Sequence, residues 1–142
     1  MRFEYYDNQG DNIKIPIPES YADCVTLIQS DRFRITGHLE SKFFLIIKSL
    51  LFYRNPVLFW FRLTCYRGHL FHLCNFFYKR VCTRTVFELP PFTKVGYGLY
   101  VAHGVCMIIN DRTIIGNNVN LSQFLNIGSN KSTPPYLEIT YM

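Results

Sequence analysis

Among the side chains able to do chemistry near neutral pH, His103 holds the most informative place, because it interrupts a regular repeat. A neutral imidazole, with an ordinary pKa of about 6.5, suits proton transfer at that pH. The other histidines, His38, His69 and His72, lie among helical patterns, where surface or packing roles account for them. The competing reading of His103 is a structural residue at a chain corner. Five cysteines, Cys24, Cys65, Cys74, Cys82 and Cys106, are odd in number and lack the paired spacing of a disulfide framework or a zinc site. They read as reduced, mostly buried thiols, so no metal is expected and the cytoplasm is the default compartment.

The repeat that positions His103 runs through the last third of the chain. Val95 and Val101 are six residues apart, as are Ile109, Ile115, Leu121 and Ile127, and Gly96, Gly116 and Gly128 follow members of the series. One aliphatic residue every six positions suits a β-helix, in which three short strands joined by tight turns complete a coil and the aliphatic side chains stack inside. Asn110, Asn117, Asn118, Asn120 and Asn126 supply corner residues that tolerate a left-handed backbone. Between Val101 and Ile109 the step is eight, so two residues bulge out of register around His103. An ordinary β-rich domain with chance spacing is the alternative, and the strict register with matching glycines argues against it.

Upstream the periodicity is helical. Residues 1–18 are polar, with Gln9-Gly10, Pro16 and Pro18, and read as an arm or irregular lead-in. Residues 19–87 read as a basic helical region in three or four pieces. A short helix over 19–29 carries Ala22, Val25, Leu27 and Ile28, with Ser30-Asp31 expected to end or re-cap it. A second, over 41–52, carries Phe43, Ile47, Leu50 and Leu51. Asn55-Pro56 marks a restart and a third helix to about Tyr66. Gly68 breaks the pattern, and residues 70–81 resume it with Leu70, Leu73, Cys74, Phe77 and Val81. Pro90-Pro91 stops any helix and opens the β-rich segment, 88–142.

The chain is basic, with a net charge of +5, and its 49% apolar residues, including 13 Phe and 10 Tyr, exclude a disordered polar chain. The charge is concentrated: residues 32–84 hold ten Lys or Arg against one acid, Glu40. Such a stretch, interleaved with aromatics, fits an anionic membrane surface, or helices whose basic side chains lie over their own apolar surface. No nucleic-acid motif is present, so no nucleic-acid partner is expected. Between Lys42 and Arg84 the longest run without a formal charge is residues 68–78, short of the roughly 20 apolar residues that a membrane span needs. The polar start, MRFEYYDNQGDN, is unlike a secretory signal.

The run ELPPFTKVGYGLYVAHGVCMIINDRTIIGNNVNLSQFLNIG resembles serine acetyltransferases, and especially the shorter relatives of capsule and polysaccharide gene clusters. Those relatives share an acidic residue before proline, an I-G-x-G step, a prominent His, an I-x-I-N step, an I-G-x-N step and an S-Q-x-x-x-I-G step. The upstream phrase SDRFRITG resembles their S-D-x-x-R-x-T-G. The resemblance implies an α+β chain in which an N-terminal helical region precedes a short left-handed parallel β-helix. It further implies direct transfer of an acetyl group from acetyl-CoA to a hydroxyl, with His103 as general base and Glu88 orienting it. Gln123, Asn126 and Lys131 become candidate donor-binding residues. A homotrimer or dimer of trimers is expected, with a cytoplasmic location, peripheral at the membrane's inner face.

The sequence departs from the family in three places. Glu88 stands where serine acetyltransferases carry Asp. No second histidine follows Gly128, where SNKSTPPYLEITYM begins, so acceptor recognition is expected to differ from that of free serine. The hexad pattern weakens over 133–142, and family members continue through further coils, so the β-helix is expected to be incomplete. A truncated, inactive relative serving as an assembly or scaffold protein is therefore the alternative function.

Overall fold

The computed structural model describes residues 1–8, 11–51, 57–103, 105–128 and 136–137. It begins with an antiparallel hairpin, β1 (Arg2–Asn8) and β2 (Asp11–Ile17), with Arg2 opposite Ile17 and Asn8 opposite Asp11. The expectation of an irregular lead-in is corrected here. Ile13, Ile15 and Ile17 alternate with Asn12, Lys14 and Pro16, a period-two pattern, and a two-stranded ribbon tolerates proline because both of its strands are edges.

Four helices follow. The first, α1 (Tyr21–Thr36), starts at Ser20, whose hydroxyl accepts the Asp23 N–H at 3.1 Å, and stops at Gly37, where φ is 69° and the N–H donates to the Phe33 carbonyl. It runs through Ser30-Asp31, where the sequence pattern placed an end. Both side chains have other occupations: Ser30 Oγ donates to the Leu27 carbonyl at 2.7 Å, and the Asp31 carboxylate is turned into the protein. The second helix is α2 (Lys42–Leu51), the third α3 (Val57–Thr64) and the fourth α4 (Phe71–Thr85). The restart expected at Asn55-Pro56 lies outside the described residues.

The chain then winds in coils of short parallel strands. The first coil holds β3 (Phe87–Glu88), β4 (Lys94–Val95) and β5 (Tyr100–Val101), and the second β6 (Met107–Ile109), β7 (Ile114–Ile115) and β8 (Asn120–Leu121). The strands β9 (Asn126–Ile127) and β10 (Tyr136–Leu137) continue the winding. Three parallel faces result, ordered β3-β6-β9, β10-β7-β4 and β5-β8. Val95 lies opposite Ile115, Val101 opposite Leu121 and Ile109 opposite Ile127, so the hexad aliphatics stack as expected. The series begins one step earlier than the sequence pattern indicated, at Leu89, which is 1% exposed. The eight-residue step is the β5–β6 connection. Leu137, ten residues beyond Ile127, pairs opposite Ile115.

One buried ion pair joins helices to coils. Arg62 on α3 donates from Nε and Nη2 to the two carboxylate oxygens of Asp31 on α1, at 2.8 and 2.9 Å. The same guanidinium donates to the carbonyls of Val95 and Gly96, at 3.0 and 2.6 Å, and Asp31 Oδ1 also accepts the Leu99 N–H at 2.8 Å. Burial pushes the Asp31 carboxyl upward against the pull of the guanidinium. For Arg62 burial acts downward, and the facing carboxylate more than offsets it. Phe61, Tyr78 and Val57 meanwhile join Phe87, Leu89 and Val95 in one apolar core, so α3 and α4 cover the first coil. On the other side Lys94 holds the hairpin, through an ion pair to Glu4 at 2.7 Å and a hydrogen bond to the Tyr6 hydroxyl.

Removing one member of a buried pair leaves the other charge uncompensated, at a typical cost of about 3–5 kcal/mol. Asp31→Ala is therefore expected to lose about that much in urea unfolding followed by circular dichroism. A loss under about 1 kcal/mol would show that the helices and coils hold together without the pair.

Candidate active site

The β5–β6 connection leaves the ladder at Ala102, whose N–H donates to the Leu121 carbonyl at 3.0 Å. It rejoins at Cys106, whose N–H donates to the Thr85 carbonyl at 2.9 Å at the end of α4. His103 stands in this bulge, exposed, with φ 63°, a left-handed conformation that histidine adopts more readily than most residues. The inward residues on either side, Val101 and Ile109, keep their stacked places. The bulge thus changes the outline of the corner without changing the interior.

Glu88 lies opposite Ile108, and Ile108 lies opposite Asn126, so the three form one row across β3, β6 and β9. All three are exposed. On the next coil Gln123 follows Leu121 by two residues, as His103 follows Val101, and Leu121 and Val101 are register partners. Gln123 is therefore the positional counterpart of His103 at the same corner. His103 and Gln123 thus share one corner, and Glu88 and Asn126 share a row on the face that follows it; this corner and face form the candidate edge, and Lys131 lies outside the described residues. No hydrogen bond joins His103 to Glu88 among the described residues. Ile108 and Phe124, 45% and 72% exposed, add apolar surface to this edge. They are absent from the sequence-derived site, although the hexad, by placing Ile109 inward, already turns Ile108 outward.

The thiols offer no competing nucleophile inside the fold. Burial pushes Cys24 and Cys65 up to about 12, and burial, aided by the Glu88 charge, raises Cys82 as well. Among the described residues no group of three or more His, Cys, Asp or Glu is placed to hold a metal. No helix among them is long and apolar enough to cross a membrane. Among the described residues, clefts lie away from the edge. One, of about 200 Å³, runs between the hairpin and the first coil past Glu4, Leu27, Phe92 and Val95. Another, of about 300 Å³, lies beside Tyr6, Lys94 and Arg112. The edge itself is open, and a ligand there would need a second wall.

No protein-family model matches the chain, and no curated protein matches it. Among solved structures a serine acetyltransferase in complex with cysteine is similar, at 20% identity and a TM-score of 0.48. The match covers 78% of this chain and 46% of that one, so the chain spans about half its length.

The backbone at position 103 separates a positional role from a chemical one. A Cβ in the left-handed region costs about 1–2 kcal/mol, a cost glycine avoids. His103→Gly is therefore expected to melt above His103→Ala by a margin worth about 1 kcal/mol, measured by thermal unfolding. The reverse order would mean that this corner is not left-handed in solution.

Proposed function

We propose that the chain is an O-acetyltransferase subunit with a left-handed β-helix, moving an acetyl group from acetyl-CoA to a hydroxyl of serine, a sugar or a polysaccharide precursor. The observation that carries this reading is the position of His103, exposed at the two-residue bulge with Gln123 at the matching station of the next coil, while Glu88 and Asn126 are exposed in one row on the face that follows. In the proposed step His103 accepts the hydroxyl proton as the acceptor oxygen attacks the thioester carbonyl carbon. The carbon–sulfur bond then breaks, and the CoA sulfur leaves with a proton returned from the imidazolium. Glu88 orients the ring and stabilises its charged form, as acid–histidine pairs do elsewhere.

The edge has features that fit the donor. Gln123 and Asn126 present amides that can pair with those of a pantetheine chain, Ile108 and Phe124 offer it apolar contact, and Lys131 is a candidate for a CoA phosphate. Because the edge is open, the proposed assembly is a homotrimer in which a neighbouring copy supplies the second wall, with a dimer of trimers formed through the helical region. The proposed location is the cytoplasm, at the membrane's inner face. A second reading is an inactive relative that serves as an assembly or scaffold protein.

Release of free CoA thiol, assayed with a panel of hydroxyl acceptors, distinguishes the two. His103→Ala is expected to lower transfer by about two to four orders of magnitude while CoA binding and the melting temperature change little, and Glu88→Gln by less. A rate that survives His103→Ala would remove the general base. A folded wild type that binds neither CoA nor acetyl-CoA in a thermal-shift titration would leave the scaffold reading. Light scattering should give three chains or a multiple of three, and a stable dilute monomer would count against a shared cleft.

A further inference from the structure

We infer that the outer face of α4 is a docking surface for an anionic phospholipid bilayer. The helix, FHLCNFFYKRVCTRT, contains no acid. It turns Cys74 and Tyr78 inward. On the exposed side Leu73, Phe77, Arg80 and Arg84 follow one another at spacings of four, three and four, a single stripe along an α-helix, with Phe76 next to it and Lys79 beyond Phe76. Leu73, Phe76 and Phe77 are 55%, 61% and 39% exposed. Phe77 is braced from beneath by Trp60, its ring stacked at 4.7 Å, and Phe76 meets Phe77 edge-on. The apolar half of the stripe is therefore a supported surface.

The cations on this face differ from the other described bases of the helical region, each of which is held by a side chain of the fold. Arg62 is buried against Asp31, Arg32 and Lys48 both pair with Glu40, and Arg34 donates to Asn120. Lys42 donates to Thr26, and Arg67 lies over the Phe92 ring. Lys79, Arg80 and Arg84 have no ion pair among the described residues. A helix about 22 Å long thus presents aromatic and aliphatic side chains at one half and uncompensated cations at the other. An anionic bilayer satisfies both at once, with lipid phosphates against the bases and the acyl boundary against Leu73 and Phe76. Pairing with the same face of a second copy would bury six bases and no acid, which desolvation opposes.

Cosedimentation of the full chain with vesicles tests this independently of any acetyl transfer. The chain should bind vesicles of phosphatidylcholine mixed with phosphatidylglycerol, bind phosphatidylcholine alone far less, and be released as salt rises. Each base near such a surface is worth roughly fivefold in partition, so Arg80→Glu with Arg84→Glu should weaken binding by at least about 25-fold. Leu73→Ser with Phe76→Ser should abolish the fraction that resists salt. Lys14→Glu with Arg112→Glu, an equal charge change on the hairpin and the coils, should retain binding. Melting curves confirm that each variant folds, and the lipid and salt dependence of the wild type stands without any variant. Equal partition to both vesicle types, no binding, or an equal loss in the Lys14/Arg112 variant would overturn the proposal. So would a wild-type self-association that Leu73→Ser with Phe76→Ser abolishes.

Discussion

The ion pair between Asp31 and Arg62 fixes where everything else stands. Two charges buried together bring little net stability unless geometry and hydrogen bonding are complete, because each gives up its hydration. Here they are nearly so: the guanidinium makes two bonds to the carboxylate and two to coil carbonyls, and the carboxylate takes a coil N–H as well. The planar donor fork of arginine spans these partners from one position, which a lysine could not do. The atoms it holds belong to residues 95, 96 and 99, the turn that leads into β5, and β5 leads directly to His103. The helices therefore do more than cover the first coil, since they set the origin from which the candidate edge is reached.

Above that anchor the coils are held by packing more than by their ladders. Most strands are only two residues long, so each face contributes few hydrogen bonds, and the continuity of the stack rests on Leu89, Val95, Ile109, Ile115, Leu121 and Ile127, all buried. Corners are held by close backbone approach. Gly98, at φ 66°, lies against Asn118, at φ 58°, and a Cβ on Gly98 would stand 2.4 Å from the Asn118 side-chain oxygen. A left-handed residue on each of two successive coils keeps this corner in register. Arg62 adds to the same turn by binding the carbonyl of Gly96, whose own Cβ position is closed by the backbone of Gly116 at 2.5 Å.

What could be read in advance follows from which forces are periodic. Stacking of inward aliphatics repeats every six residues, so Val95 to Ile127 and the bulge at His103 were visible in one dimension. The shared corner of His103 and Gln123 and the shared row of Glu88 and Asn126 follow from their offsets to those aliphatics. Leu89 escaped because Pro90-Pro91 directly after it reads as a boundary. The hairpin escaped because Pro16 and Pro18 argue against strands unless both strands are edges. Arg62 read as one surface base among ten, since its partner lies 31 residues upstream and nothing local marks an arginine that turns inward. For the same reason Ser30-Asp31, two residues that often end helices, gave no sign that tertiary bonds would occupy their side chains.

The bulge shows how such a stack can host chemistry at little structural cost. A substitution among the inward residues is felt through the whole pile, because each touches its counterpart on the coil above and below. Two extra residues at a corner are felt by no counterpart, provided the chain leaves and rejoins the ladder in register. Ala102 and Cys106 do this with one backbone bond each, and Val101 and Ile109 remain stacked. The next connection, from Leu121 to Ile127, makes the same turn without the insertion and puts Gln123 where His103 stands. His103 and Gln123, both exposed, therefore lie at equivalent stations of successive coils. A side chain at this corner is thereby decoupled from the core that supports it, and substitutions there leave the inward stack in place.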